Sequence, residues 1–231
     1  MANAADHMVV TYRIEAEDGG HEEFELDIAL PEVQLAPPDS QRLPDWTRLE
    51  YHQCAHCPLK PEDSPRCPVA AQLVDYGQRM GRAVSYKKVN LTVDQDGKRM
   101  TAQVPAHEAL RSVLGLVMAT SGCPHMKFFK ALARYHLPLA DMEQTILRAM
   151  SFYLLTQYFR DTELPDWDTS FTGLIEIYKL AQEVNRGLAT RLREAKVFKE
   201  LNWLAELDTF AAMMPLTIER SLLKAKTYFV D

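Results

Sequence analysis

Glycine is scarce in this chain, with nine scattered through 231 residues, and no glycine-rich loop able to cradle a phosphate can be drawn from them. Neither G-x-S-x-G nor H-E-x-x-H occurs, so the usual serine-hydrolase and zinc-protease signatures are excluded. No apolar run approaches the roughly 20 residues that cross a bilayer. The start, Met1 to His7, lacks a basic segment followed by an apolar one, so a cytoplasmic protein is expected. Basic charge is also short, with 26 Lys and Arg against 32 Asp and Glu, a net charge of −6. That balance lacks the footprint of a nucleic-acid binder. Neither nucleic acid nor membrane is expected as a partner, and a protein partner is left open.

The charge is unevenly spread. Residues 1–50 carry three basic and twelve acidic side chains, residues 51–183 fifteen and fourteen, and residues 184–231 eight and six. An acidic leading segment of this kind serves solubility more readily than it serves a cationic partner. Hydrophobic residues at 47% and charged residues at 25% suit an ordinary globular protein with a core of its own.

Periodicity divides the chain at about residue 105. Residues 8–14 are rich in β-branched and aromatic side chains, Asp18-Gly19-Gly20 offers a turn, and Phe24, Leu26 and Ile28 alternate with acids. A second hairpin runs from Tyr86 to Val93, turns at Asp96-Gly97 and returns from Met100 to Val104. Between them, Pro31 to Pro44 holds four prolines and reads as a loop, Trp46 to Tyr51 reads as a short strand, and a helix follows Cys67, with Gly81 able to end it.

From Pro105 onward the pattern is helical. Helix Ala106 to Ser121 presents Leu110, Val113, Leu114, Val117 and Met118 on one face, and a short helix opens at Pro124. Asp141 with Gln144 resembles a capping box at the head of a helix reaching Phe159. That helix is apolar on most of its circumference, which places it at the centre of the helical layer. A loop at Pro165-Asp166-Trp167 leads to a helix from Phe171 to Lys196, with Leu174, Tyr178, Ala181, Leu188 and Leu192 on one side; a last helix starts near Lys199, with Pro215 kinking or restarting it. The expected fold class is α+β: a small antiparallel sheet of two hairpins packed against a mainly helical C-terminal half. The expected organisation is a single domain over 1–231, with a β-rich part at 1–104 and a helical part at 105–231.

Cysteine is the other rare residue, and its placement carries the functional reading. The four are Cys54, Cys57, Cys67 and Cys123, and three of them are followed directly by proline. In a cytoplasmic protein four such residues point to ligands or redox groups before structural disulfides. Cys54-x-x-Cys57 is a chelating loop. Pro68 and Pro124 suit the first position of a helix, which sets Cys67 and Cys123 at the positive ends of helix dipoles, where thiolates are favoured. We therefore expect a four-cysteine metal site.

Tetrathiolate zinc usually draws on two CxxC knuckles, whereas this chain has one CxxC and two single cysteines, spaced x9 and x55. Cys-Pro recurs in ferredoxin-type ligation, though at other spacings. An iron–sulfur cluster, most simply of four irons, is the favoured reading and zinc the alternative. His52, His56 and His125 could replace a thiolate in either case.

The runs Trp46 to Cys54, Cys57-Pro58-Leu59, Cys67-Pro68-Val69-Ala70 and Ala119 to His125 resemble an uncharacterised bacterial protein family of about this length, marked by HQCxxCPL, CPVA and TSGCPH. The likeness extends through Ala133 to Pro138. It implies a free-standing single-domain protein and carries no activity with it.

Three functions compete at this point. The first is a metal- or cluster-binding protein in a redox-sensing or regulatory role. The second is a structural zinc site in a helical binding or interaction protein. The third is a thiol enzyme using Cys123 as nucleophile with His125 or His136 as base. Lys127, Lys130 and Arg134 also form a stripe that could dock an anion, or simply face solvent.

Overall fold

The computed structural model describes residues 6–83, 87–160, 167–197 and 202–227. Tyr86, Pro165, Asp166 and Lys199, named above in a strand, a loop and a helix start, lie outside the described residues.

The β-rich part is an antiparallel sheet of five strands in the order β3-β2-β1-β4-β5: β1 His7–Ala16, β2 His21–Ala29, β3 Gln34–Leu35, β4 Lys88–Gln95 and β5 Lys98–Pro105. The two expected hairpins are joined through β1 and β4, with Tyr12 opposite Phe24 on one side and Val93 on the other. Asp96 and Gly97 turn the second hairpin at φ of 49° and 74°. Such a pair of positive φ values matches the strand twist of a tight hairpin. The additional strand, β3, pairs Leu35 with Ile28 inside the stretch expected to be a loop. A two-residue edge strand leaves no periodicity to detect.

Alternation puts Met8, Val10, Tyr12, Ile14, Phe24, Leu26, Ile28, Val89, Leu91 and Val93 on one buried face. Helices α1 Pro68–Ala83 and α2 Ala106–Thr120 cover it. α1 continues past Gly81. The stretch Trp46 to Tyr51, expected as a strand, instead holds a 3₁₀ turn over Asp45–Thr47 and a single bridge between Arg48 and Arg66. The Thr47 hydroxyl donates to the Pro44 carbonyl at 2.7 Å, which bends the chain before a ladder can start.

The helical half follows with α3 Phe129–Arg134, α4 Met142–Arg160, α5 Thr172–Glu194 and α6 Asn202–Lys226, which runs through Pro215. The centre belongs to α2, where Ala109, Leu110, Val113, Leu114 and Val117 are fully covered between the sheet and α6. This corrects the placement of α4. Only Ile146, Ala149 and Met150 of α4 are buried, while Leu155, Tyr158 and Phe159 are 46%, 59% and 76% exposed. An apolar circumference requires burial only where another element reaches it, and among the described residues the last turns of α4 meet chiefly Trp167 and Asp168.

Candidate metal centre

The three cysteine-bearing segments come together where the loop between β3 and α1 meets α5 and the end of α2. Cys57 donates its N–H to the Cys54 carbonyl at 3.0 Å, closing the CxxC turn. Cys54 rests against Gly187 of α5: a Cβ at that glycine would stand 2.7 Å from the Cys54 sulfur, so any side chain there would displace the thiol. Cys67 donates its N–H to the Thr47 carbonyl at 2.8 Å and immediately precedes α1. Cys123 occupies the cap position of a 3₁₀ turn over Pro124–Met126, just after Gly122, whose φ of 88° lets the chain reverse out of α2. Both expected helix starts are thus present, although the one after Cys123 is a 3₁₀ turn followed by α3.

Two contacts knit these segments. The His125 ring meets the His56 carbonyl at 2.7 Å, linking the Cys123 turn to the CxxC loop. Arg191, only 2% exposed, donates to the carbonyls of Trp46 at 2.7 Å, Arg48 at 2.5 Å and Leu49 at 3.1 Å, and lies over the Tyr51 ring at 5.9 Å. The guanidinium therefore fixes the run that delivers Cys54. Neither Gly187 nor Arg191 was singled out in the sequence. The available signal was an arginine beside Leu192, at the edge of the apolar side of α5, where an ordinary amphipathic helix would keep its charges in water.

The electrostatics follow from burial. Desolvation pushes the Cys54 thiol up to about 11, aided by Cys67 and Cys57 and opposed by Arg191. It pushes Cys123 up to about 12, opposed by the backbone N–H groups of His125 and Met126 and reinforced by Cys67 and Cys54. Cys67 is raised for the same reason, opposed chiefly by the N–H of Ala70 and by Arg191. Cys54, Cys57 and Cys67 thus lie within electrostatic reach of one another, Cys123 lies within reach of Cys54 and Cys67, and all four are free of disulfides. They share a region without meeting at a point: among the described residues, no group of three or more His, Cys, Asp or Glu side chains stands close enough to hold a metal ion as it is.

The donor set itself suits a soft cation. It consists of thiols alone, in loops and at helix starts, and a positive charge would offset the cost of ionising them where desolvation opposes it. Arg191 is a nearby cation, and its two terminal nitrogens already donate to three carbonyls.

The remaining candidates fall elsewhere. His52 is exposed at a φ of 49° with its ring edge-on to Tyr51, and His56 contributes a carbonyl. His136 is hydrogen-bonded to the Tyr12 hydroxyl, and desolvation pulls it down to about 3. Neither His125 nor His136 is hydrogen-bonded to Cys123, whose raised thiol is the reverse of an activated nucleophile. In the basic stripe, Lys130 donates to the Glu32 carbonyl at 2.8 Å and Arg134 lies 3.7 Å from Asp96, so two of the three are engaged by the sheet side.

No helix among the described residues is long and apolar enough to cross a membrane. No curated protein and no solved structure matches the chain. The family described as a domain of unknown function, DUF6901, matches residues 10–230, and the chain belongs to that family.

Proposed function

We propose that this is a cytoplasmic metal-binding protein in which Cys54, Cys57, Cys67 and Cys123 hold an iron–sulfur cluster, most simply of four irons, in a redox-sensing or regulatory role. The observation that carries the reading is the gathering of the only four cysteines, from three separate segments, into one partly buried region without any disulfide. HQCxxCPL, CPVA and TSGCPH are, on this reading, the marks of a bacterial family built around the site. A bound cation supplies the positive charge that keeps buried thiolates ionised. The chain's own contribution is to orient the donors: Arg191 sets the CxxC approach, and helix starts aim N–H groups at Cys67 and Cys123.

Regulation follows from position. Cys54 leans on α5, Cys67 opens α1 and Cys123 leaves α2, so losing the group would change how these helices meet the sheet. A structural zinc ion is the second reading, since the same all-thiol set accepts it. The experiment is metal and acid-labile sulfide analysis, with a visible spectrum, of anaerobically purified protein. Brown protein with iron and sulfide in equal amounts supports the cluster, and colourless protein with one zinc per chain supports the alternative. Protein free of both metals when purified under either metal supply would refute the site.

A further inference from the structure

A second feature lies in the helical half. A partly open cavity of about 190 Å³ runs between α2, α3, α4, α5 and α6. Its size comes from small residues, chiefly Gly115, Ala119, Ala133, Ala181 and Ala211. Gly115 is mid-helix, and a Cβ there would meet nothing within 4 Å. Glycine at such a position weakens the helix. Space is what it provides in return. An apolar cavity of about 150 Å³ accepts benzene, so this one suits a substituted ring or a branched acyl chain.

The polar groups on its wall are Arg111, Ser112, His136, Thr145, Arg148, Tyr178 and Asn185. Asn185 is 2% exposed and Tyr178 is 4% exposed, and neither side chain has a hydrogen-bond partner among the described residues. Both line the cavity, where polar atoms of a ligand can pair with them. Arg148, also on the wall, donates from one nitrogen to the carbonyls of Leu132 at 3.1 Å and Tyr135 at 2.5 Å. Among the described residues it has no carboxylate partner, and no Asp or Glu lines the cavity. The His136 ring is already bound to Tyr12.

We propose that this cavity is a binding site for a small apolar monocarboxylate, its body lying along Gly115, Ala119 and Ala181 and its carboxylate on Arg148 and the Tyr178 hydroxyl. Asn185 lies seven residues from Tyr178 on the same side of α5, about 10 Å along the axis. It would take a second hydrogen-bonding group at the far end of the ligand. An aryl carboxylate with a polar substituent opposite the acid meets all of these demands. Burial holds Arg148 below its usual range, as expected of a guanidinium that lacks an anion. The cavity wall includes Met126, three residues beyond Cys123, and Asn185, two residues before Gly187, yet the assignment stands whether or not the cysteines hold a metal.

The test is titration calorimetry of the purified full chain with 4-hydroxyphenylacetate and, separately, with its neutral amide 4-hydroxyphenylacetamide. Saturable one-to-one binding of the acid is expected, with the amide at least tenfold weaker. Arg148→Met should remove that preference, so that acid and amide bind alike. Gly115→Leu should fill the space and abolish binding of both without lowering the unfolding temperature, and it keeps the test informative should Arg148→Met fold poorly. The proposal is overturned by the absence of saturable binding to the unaltered protein, by equal affinity for acid and amide, or by full binding in a folded Gly115→Leu protein.

Discussion

Arg191 and His136 show how much single buried side chains carry here. Arg191 satisfies three carbonyls in the run that leads to Cys54. Arg191→Met fills similar space but leaves those acceptors unpaired, and a loss on the order of 3 kcal/mol is expected in urea unfolding. His136 predicts a pH dependence. Its folded-state value is depressed from 6.5 to about 3 by desolvation, with Arg148 acting in the same direction. Below pH 6.5 the unfolded chain takes up a proton that the folded chain refuses, so the contribution is complete above that pH and is lost as pH falls. The slope should reach about 1.4 kcal/mol per pH unit. Unfolding series between pH 7 and pH 5 should show it, and His136→Gln, which keeps an acceptor for Tyr12, should flatten it. Neither residue was legible in the sequence for what it does. An arginine or a histidine takes its role from partners more than 100 positions away, Leu49 for Arg191 and Tyr12 for His136.

Local chemistry was the most legible scale of the elements. The Asp141 and Gln144 box forms as expected, with the Gln144 N–H on Asp141 at 2.8 Å and the Asp141 N–H on Gln144 at 3.0 Å. Asp141→Ala should therefore cost about 1 kcal/mol of stability. Both hairpins follow from alternation and turn residues, because a sheet covered on one face writes its burial into every second position. What failed was the ranking of helices. The apolar circumference of α4 suggested the centre, but burial depends on what surrounds a helix, and α2 holds that place. The consequence is measurable by thermal unfolding. Leu155→Lys on α4 should change stability by no more than about 0.5 kcal/mol, whereas Ile146→Ala should cost about 2 to 5 kcal/mol. On α5, Asn185 falls between Ala181 and Leu188 on the apolar stripe, a break in pattern that marks the cavity.

At the scale of the molecule, the sheet, α1, α2 and much of α5 share one apolar core, and α4 joins α5 and α6 in a second. The cysteines sit beside the first, contributed by the loop before α1, the start of α1 and the exit from α2. The sequence could place all four in loops and at helix starts, because CxxC and Cys-Pro are local patterns. It could not supply the contacts that draw them together, which depend on Gly187, Arg191 and the reach from His125 to His56. A metal held by all four would close the span from Cys67 to Cys123, a stretch whose loop-closure entropy is on the order of 3 kcal/mol.

Cys123→Ser therefore tests the central claim most directly, through metal content per chain and unfolding temperature measured on the same preparations. Serine is nearly the same size but a poor ligand for a soft metal, so the variant should lose most of its metal and unfold at a lower temperature, while the same substitution in chelator-stripped protein should change that temperature little. A variant that retains its full metal content and its full unfolding temperature would show that Cys123 is not a ligand and that no four-cysteine site joins the two halves.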